Sequence, residues 1–182
     1  MSVSKSIKRK VGLSHGLTKT EISARVFGGG MPRTLEMRLV SLSRRRVVAE
    51  MPVRDKHRNR NGRVNGGAIM SLADATAAAG AVANLVPGHR TGTIESKTNF
   101  FASGVGPVLK AVSIPLHIGR TTSVWQTTIS NSGDGSRVAM VTQTQIYLPH
   151  SAPADSDKSG HAVKSRGRTK GRSRGGEDQR RP

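Results

Sequence analysis

Between Gly66 and Val86 the chain reads GGAIMSLADATAAAGAVANLV, a run in which Asp74 is the one charge. A segment this apolar has to be buried on most sides, in lipid or in protein. Its length is near the about 20 residues that a membrane span needs. Its content points elsewhere: Ala predominates, Gly, Ser, Thr and Asn are interspersed, and a central Asp costs about 2.5–3.5 kcal/mol on insertion. The segment is read as a buried helix of a soluble domain, ended by Pro87-Gly88.

The sequence around it has strand character. Residues 34–53 contain two candidate strands, Met37 to Val40 and Val47 to Val53, with Arg44-Arg45-Arg46 at the turn, and residues 54–65 are a polar basic loop. After the helix, residues 93–101, 108–118, 121–131 and 137–148 are rich in Thr, Val and Ile, with turns at Gly104-Val105-Gly106, Gly119 and Gly133-Asp134-Gly135. Val138, Met140, Thr142, Thr144 and Ile146 alternate along the last of them. Pro115 cannot donate a ladder hydrogen bond, so it predicts an edge or a bulge. Successive strands joined by tight turns predict an antiparallel sheet. The expected class is α+β, with that sheet wrapped around one long central helix.

Charge divides the chain into three parts. The 182 residues carry 30 Lys+Arg against 11 Asp+Glu, a net of +19. Residues 1–30 hold six basic and one acidic residue and are read as a basic N-terminal extension, partly disordered, with a short helix around residues 17–27. Residues 31–150 form the expected domain. Residues 151–182, with nine basic and four acidic residues and almost no aliphatic ones, are read as a disordered basic tail. About half the excess charge therefore lies outside the domain. The absence of cysteine excludes thiolate metal sites, cysteine nucleophiles and disulfides. Nothing near His57, His89 or His117 completes a metal set. Phe27, Phe100, Phe101, Trp125 and Tyr147 are the only aromatics, too few for a base-stacking platform. The start of the chain lacks the apolar core of a secretory signal, which makes the cytoplasm the default location.

The distinctive constellation begins at His57-Arg58-Asn59 and runs through Gly62, Arg63, Asn65, Gly66, Gly67 and Leu72 to Asp74. Thr93-Ile94-Glu95 and Asn99-Phe100 follow, and later Gly119-Arg120. In order and spacing it resembles the hotdog-fold thioesterases of the PaaI and 4-hydroxybenzoyl-coenzyme A thioesterase type, over about residues 34–148. That family's outline is Asn, then Gly-x-x-His-Gly-Gly, then Leu-x-Asp nine residues after the His, then a strand with a hydroxyl residue ending in Asn-Phe. The resemblance implies a hotdog fold and hydrolysis of an acyl- or aryl-coenzyme A. It implies Asp74 as general base or nucleophile and the Gly67 N–H on the thioester oxygen. Asn59 would position the carbonyl or the water, and Thr93 would hydrogen-bond the water. It also implies sites at a subunit boundary, hence a homodimer or homotetramer. Arg120, after Gly119, is the candidate for coenzyme A phosphate, with Arg58, Arg60 and Arg63 as second choices. No cofactor is expected beyond the coenzyme A of the substrate.

Elementary chemistry supports the same residues. Gly66 and Gly67 leave the backbone bare at a helix start, where free N–H groups carry partial positive charge. A developing oxyanion there gains about 2.7–4 kcal/mol per donor. Asp74 is expected to be an unpaired carboxylate among apolar residues. One position departs from the pattern: Asn65 stands where the family has His, so it can orient or cap but cannot titrate near neutral pH. Met70, Val82, Leu85 and Phe101 are expected to shape the acyl pocket. Two other readings remain open: an acyl-coenzyme A binder without turnover, motivated by Asn65, and a basic nucleic-acid-associated protein whose tails supply non-specific, salt-dependent affinity. A hydratase on the same fold would place a His with the carboxylate, and this segment has none. No membrane partner is expected.

Overall fold

The structure, a computed structural model, describes residues 17–150. Residues 1–16 of the expected extension and all of the expected tail, 151–182, lie outside the described residues. The elements are α1 (Lys19–Phe27), α2 (Gly30–Thr34), β1 (Arg38–Leu42), β2 (Val47–Pro52), α3 (Gly66–Val82), β3 (His89–Phe100), β4 (Val108–Ile118), β5 (Thr122–Asn131) and β6 (Arg137–Pro149), with a 3-10 turn at Asp55–His57.

The Ala-rich run forms α3 because Ala has the highest helix propensity and Asn65 caps its start, the side chain accepting the Gly67 N–H. The helix stops at Val82, short of Pro87, because Asn84 folds back and donates its amide to the carbonyls of Gly80 and Arg44. Eleven of the 17 helical residues are buried, and the helix packs against all six strands. Among the described residues no helix is long and apolar enough to cross a membrane.

The six strands form one antiparallel sheet in the order β1-β2-β4-β5-β6-β3. Wrapped around α3, this is the hotdog architecture. One expected pairing is corrected: β3 and β4 follow each other in sequence but are not neighbours. The chain between them carries β4 across to β2, while β3 closes onto β6 at the far edge. Pro115 lies beyond the last residue paired with β2 and beside a register shift against β5, so no ladder bond is lost. On β6 the buried residues are Val138, Ala139, Val141, Gln143, Gln145 and Tyr147, so of the alternating set that marked the strand only Val138 is buried. Two of these six are glutamines, an unusual load for a core-facing strand.

The pairing of β3 with β6 slips by one residue between Thr93 and Glu95, which leaves Ile94 as a bulge. Thr91 and Thr93 face the helix before it; afterwards the parity changes, and Phe100 covers Gly66. The N-terminal helices close the remaining side. A capping box between Thr18 and Glu21 starts α1, which buries Ile22 completely and Phe27 nearly so. Beneath α3, Trp125 is fully buried, donates to the Ser123 hydroxyl (2.9 Å) and lies flat against Gly80.

Candidate functional site

The exposed positions of α3 fall on one stripe: Gly67, Met70 and Asp74 are open to solvent, and Ser71 and Ala78 are partly so. This stripe runs beside β3, the edge strand, where Thr93–Lys97 are exposed. Asp74 sits at its middle. The expectation of a buried, unpaired carboxylate is corrected on both counts. The side chain is exposed, and its Oδ1 accepts hydrogen bonds from the Thr93 hydroxyl (2.8 Å) and the Gln143 amide (2.8 Å).

Those two donors belong to a longer chain of hydrogen bonds. Gln145 donates to the Thr93 oxygen (2.8 Å), Gln143 reaches the same oxygen (3.2 Å), and the Thr91 hydroxyl donates to the Gln145 carbonyl (3.0 Å). Gln143 and Gln145 are 0% and 1% exposed, so their orientation is set by these bonds and by packing. Thr93 has one hydrogen, and it goes to Asp74. In this arrangement Thr93 holds the carboxylate and has no hydrogen left for a water. Oδ1 has two donors, whereas Oδ2 has none among the described residues. Sequence reasoning missed Gln143 and Gln145, whose only signal was two glutamines two apart on a strand otherwise rich in Val and Thr.

The start of α3 is arranged differently from expectation. The Gly67 N–H is taken by Asn65 Oδ1 (2.8 Å), and the space over Gly66 is filled by the Phe100 ring. The Gly66 N–H makes no hydrogen bond among the described residues. Asn59 Oδ1 accepts the backbone N–H groups of Asn61 (2.9 Å) and Arg63 (3.2 Å), so its side chain closes its own loop. Arg58 does likewise, donating to the Gly62 carbonyl at 2.6 Å. His57 is buried, with Nδ1 accepting the Arg54 N–H (3.0 Å), and burial lowers its pKa, which keeps the ring neutral. It is a core histidine.

Distance along the helix separates the two halves of the constellation. Gly67 and Asp74 are seven residues apart, which at about 1.5 Å per residue is roughly 10 Å. One carbonyl cannot touch both within a single chain. Gly119 and Arg120 form the turn between β4 and β5, where a side chain on Gly119 would strike His117. This turn flanks the end of β6 that pairs with the start of β3, by the C-terminus of α3; Arg63 lies by its N-terminus. The structure thus brings Thr93 to Asp74 and Asn65 to Gly67, and leaves Asn59, Arg63, Gly119 and Arg120 without a hydrogen bond to either.

A cleft of about 300 Å3 opens at Asp74 and extends toward the C-terminal end of α3, floored by Ala75, Ala78, Val82 and Leu85. Val82 and Leu85 line it as expected, whereas Met70 and Phe101 do not and are exposed. A second cleft, of about 330 Å3, lies over the start of α3 and includes Asn65, Gly67, Ser71 and Arg58.

Residues 61–138 match the sequence pattern of the Thioesterase superfamily. Among curated proteins, a 1,4-dihydroxy-2-naphthoyl-CoA hydrolase of Listeria monocytogenes is 28% identical over 102 residues, covering 56% of this chain and 83% of that protein. A putative esterase of Bacillus subtilis, ComA2, is 37% identical over 94 residues, covering 50% of this chain and 73% of that protein. Among solved structures, a Streptococcus mutans protein bound to acetyl CoA superposes with a TM-score of 0.57 at 29% identity, covering 62% of this chain and 89% of that one.

Proposed function

The chain belongs to the thioesterase superfamily and is a thioester hydrolase, and from that premise we propose that it cleaves an acyl- or aryl-coenzyme A, with Asp74 as the base on water. The observation that carries this reading is a carboxylate with one oxygen tied by Thr93 and Gln143 and the other free, at the mouth of an apolar cleft. A water on Oδ2 gives up a proton as its oxygen attacks the thioester carbonyl. The carbonyl oxygen takes the negative charge. When it collapses, the C–S bond breaks and the thiolate leaves, to be protonated by the carboxylic acid or by solvent.

The oxyanion donors must come from the start of an α3 helix, since its first-turn amides point outward. The roughly 10 Å between Gly67 and Asp74 favours a second copy in that role. Three features support a homodimer: the uncovered stripe on α3, the unpaired edge of β3, and the exposed Met70, Ile94, Phe100 and Phe101 around them. Asn65 holds the Gly67 amide until a substrate oxygen replaces it. Arg120 and Arg63 remain the candidates for coenzyme A phosphate.

The test is release of free thiol from a panel of short, medium, long and aromatic coenzyme A esters by the purified full-length chain, with its mass in solution measured in parallel. Turnover by a dimer or larger species is expected. A monomer, or no thiol from any ester, overturns the reading. Micromolar binding without thiol release would favour a non-catalytic acyl-coenzyme A binder, the reading that Asn65 on the Gly67 amide supports.

Thr93 and Gln143 act through Asp74 and are positioning residues. Hydrogen bonds to charged groups contribute about 1.5–3 kcal/mol. Thr93→Val and Gln143→Leu are each expected to lower kcat about tenfold or more while KM changes by less than about threefold. A rise in KM with kcat intact would assign them to substrate binding instead.

A further inference from the structure

Three hydrogen bonds in series lead from the sheet to Asp74, and all of them point one way. Thr91 donates to the Gln145 Oε1 (3.0 Å), the Gln145 Nε2 donates to the Thr93 oxygen (2.8 Å), and Thr93 donates to Asp74 (2.8 Å). Gln145 lies opposite Thr93 in the β3–β6 ladder, and it makes no hydrogen bond to Asp74 itself. The heavy atoms alone would allow the reverse order. With its amide turned over, Gln145 would set Oε1 against Thr93 and accept its hydrogen. Its Nε2 would then face Thr91, whose own hydrogen has a second acceptor in the Ile146 carbonyl at 3.1 Å. Asp74 would lose the Thr93 donor. One amide therefore sets the direction of the whole series.

Resting on the thioesterase reading, we propose that Gln145 is a positioning residue for the reaction: its amide orientation makes the Thr93 hydroxyl donate to Asp74 instead of away from it. Both acceptor positions of the Thr93 oxygen are filled, by Gln145 and by Gln143 at 3.2 Å, so its one hydrogen goes to the carboxylate. The charge on Asp74 selects this order, because a hydrogen bond to an ionised group is roughly twice as strong as a neutral one. Gln143 shows the same pull. Its Oε1 is buried without a hydrogen-bond partner among the described residues, while its Nε2 faces Asp74. An amide leaves its oxygen unpaired at a cost, and here its N–H groups face a negative charge in return. Gln145 is buried as well, so bulk water does not compete for its bonds. Side-chain polarity two residues removed from the cleft thus holds Oδ1 and leaves Oδ2 for the attacking water.

The experiment measures kcat and KM for the coenzyme A ester of the panel that the full chain turns over fastest, in Gln145→Glu, Gln145→Met, Thr93→Val and Thr93→Val/Gln145→Met. Glu matches Gln in shape but replaces the donor with an oxygen that competes with Asp74 for the Thr93 hydrogen. Met removes the donor and adds no rival acceptor. Gln145→Glu is expected to lose about tenfold or more in kcat and Gln145→Met about fivefold, with KM within about threefold of native in both. In the Thr93→Val background there is no hydroxyl to orient, so adding Gln145→Met is expected to change kcat by less than about twofold. Melting curves identify any variant that fails to fold; should Gln145→Glu do so, Gln145→Met and its pairing with Thr93→Val decide. A Gln145→Glu enzyme no slower than Gln145→Met, a loss expressed in KM, or a Gln145→Met loss that persists undiminished beside Thr93→Val overturns the proposal and leaves the thioesterase reading intact. Hydrolysis of no ester by the native chain removes both.

Discussion

Asp74→Asn is expected to lose about 100- to 10,000-fold in kcat toward a coenzyme A ester, the span that a positioned acid or base contributes, with no change in melting temperature. The two outcomes separate chemistry from architecture. An asparagine of the same shape still offers Oδ1 to the Thr93 hydroxyl and the Gln143 amide, so the hydrogen-bond chain through Gln145 and Thr91 persists. The position is exposed and forms no ion pair among the described residues, so folding loses little. What disappears is an oxygen able to take a proton from water. Thiol-release kinetics and a thermal melt on the same preparation decide the matter. Activity within tenfold of the native chain would remove Asp74 from the proposed role.

The second large effect concerns the support of α3. Gly80→Val is expected to destabilise the domain by about 3 kcal/mol, at or beyond the usual upper range for overpacking a core. That corresponds to a fall of roughly 10 °C in melting temperature for a chain of this size. A Cβ at position 80 would lie 2.5, 2.6 and 2.9 Å from three atoms of the Trp125 ring. The ring cannot retreat: it is fully buried and its Nε1 is tied to Ser123. Helix propensity pulls the other way, since glycine is among the worst helix formers, but its contribution is about 1 kcal/mol or less. Trp125→Phe added to Gly80→Val should recover part of the loss by returning volume. A Gly80→Val variant that melts at the native temperature would show that the helix and sheet are not in the close contact described.

Much of this architecture was legible in the residues. The α3 helix follows from a long run of Ala with an Asn at its head, and β4 and β5 follow from Thr- and Val-rich runs ending at Gly119 and at Gly133–Gly135. What local pattern could not give was pairing across long separations. That β3 joins β6 depends on how both strands meet the helix. So does the burial of Gln143 and Gln145, which look solvent-facing until Asp74 and Thr93 are placed above them. The helix start misled for a related reason. A glycine pair preceded by Asn predicts free amides, but the same Asn that defines the helix start takes up the Gly67 N–H, and Phe100, distant in sequence, covers Gly66. Exposure of Asp74 was illegible because the run holding it is apolar throughout; only the fold decides which stripe stays uncovered.

The bulge at Ile94 has a consequence for how this strand can vary. It serves two masters: the half before it aims Thr93 at Asp74 and Thr91 at Gln145, and the half after it lays Phe100 over the helix start. Losing one residue there would restore an even pleat, and the strand could then keep only one of those assignments. Insertions and deletions in β3 should therefore survive in pairs or not at all, making strand length, and not only side-chain identity, an inherited part of the site.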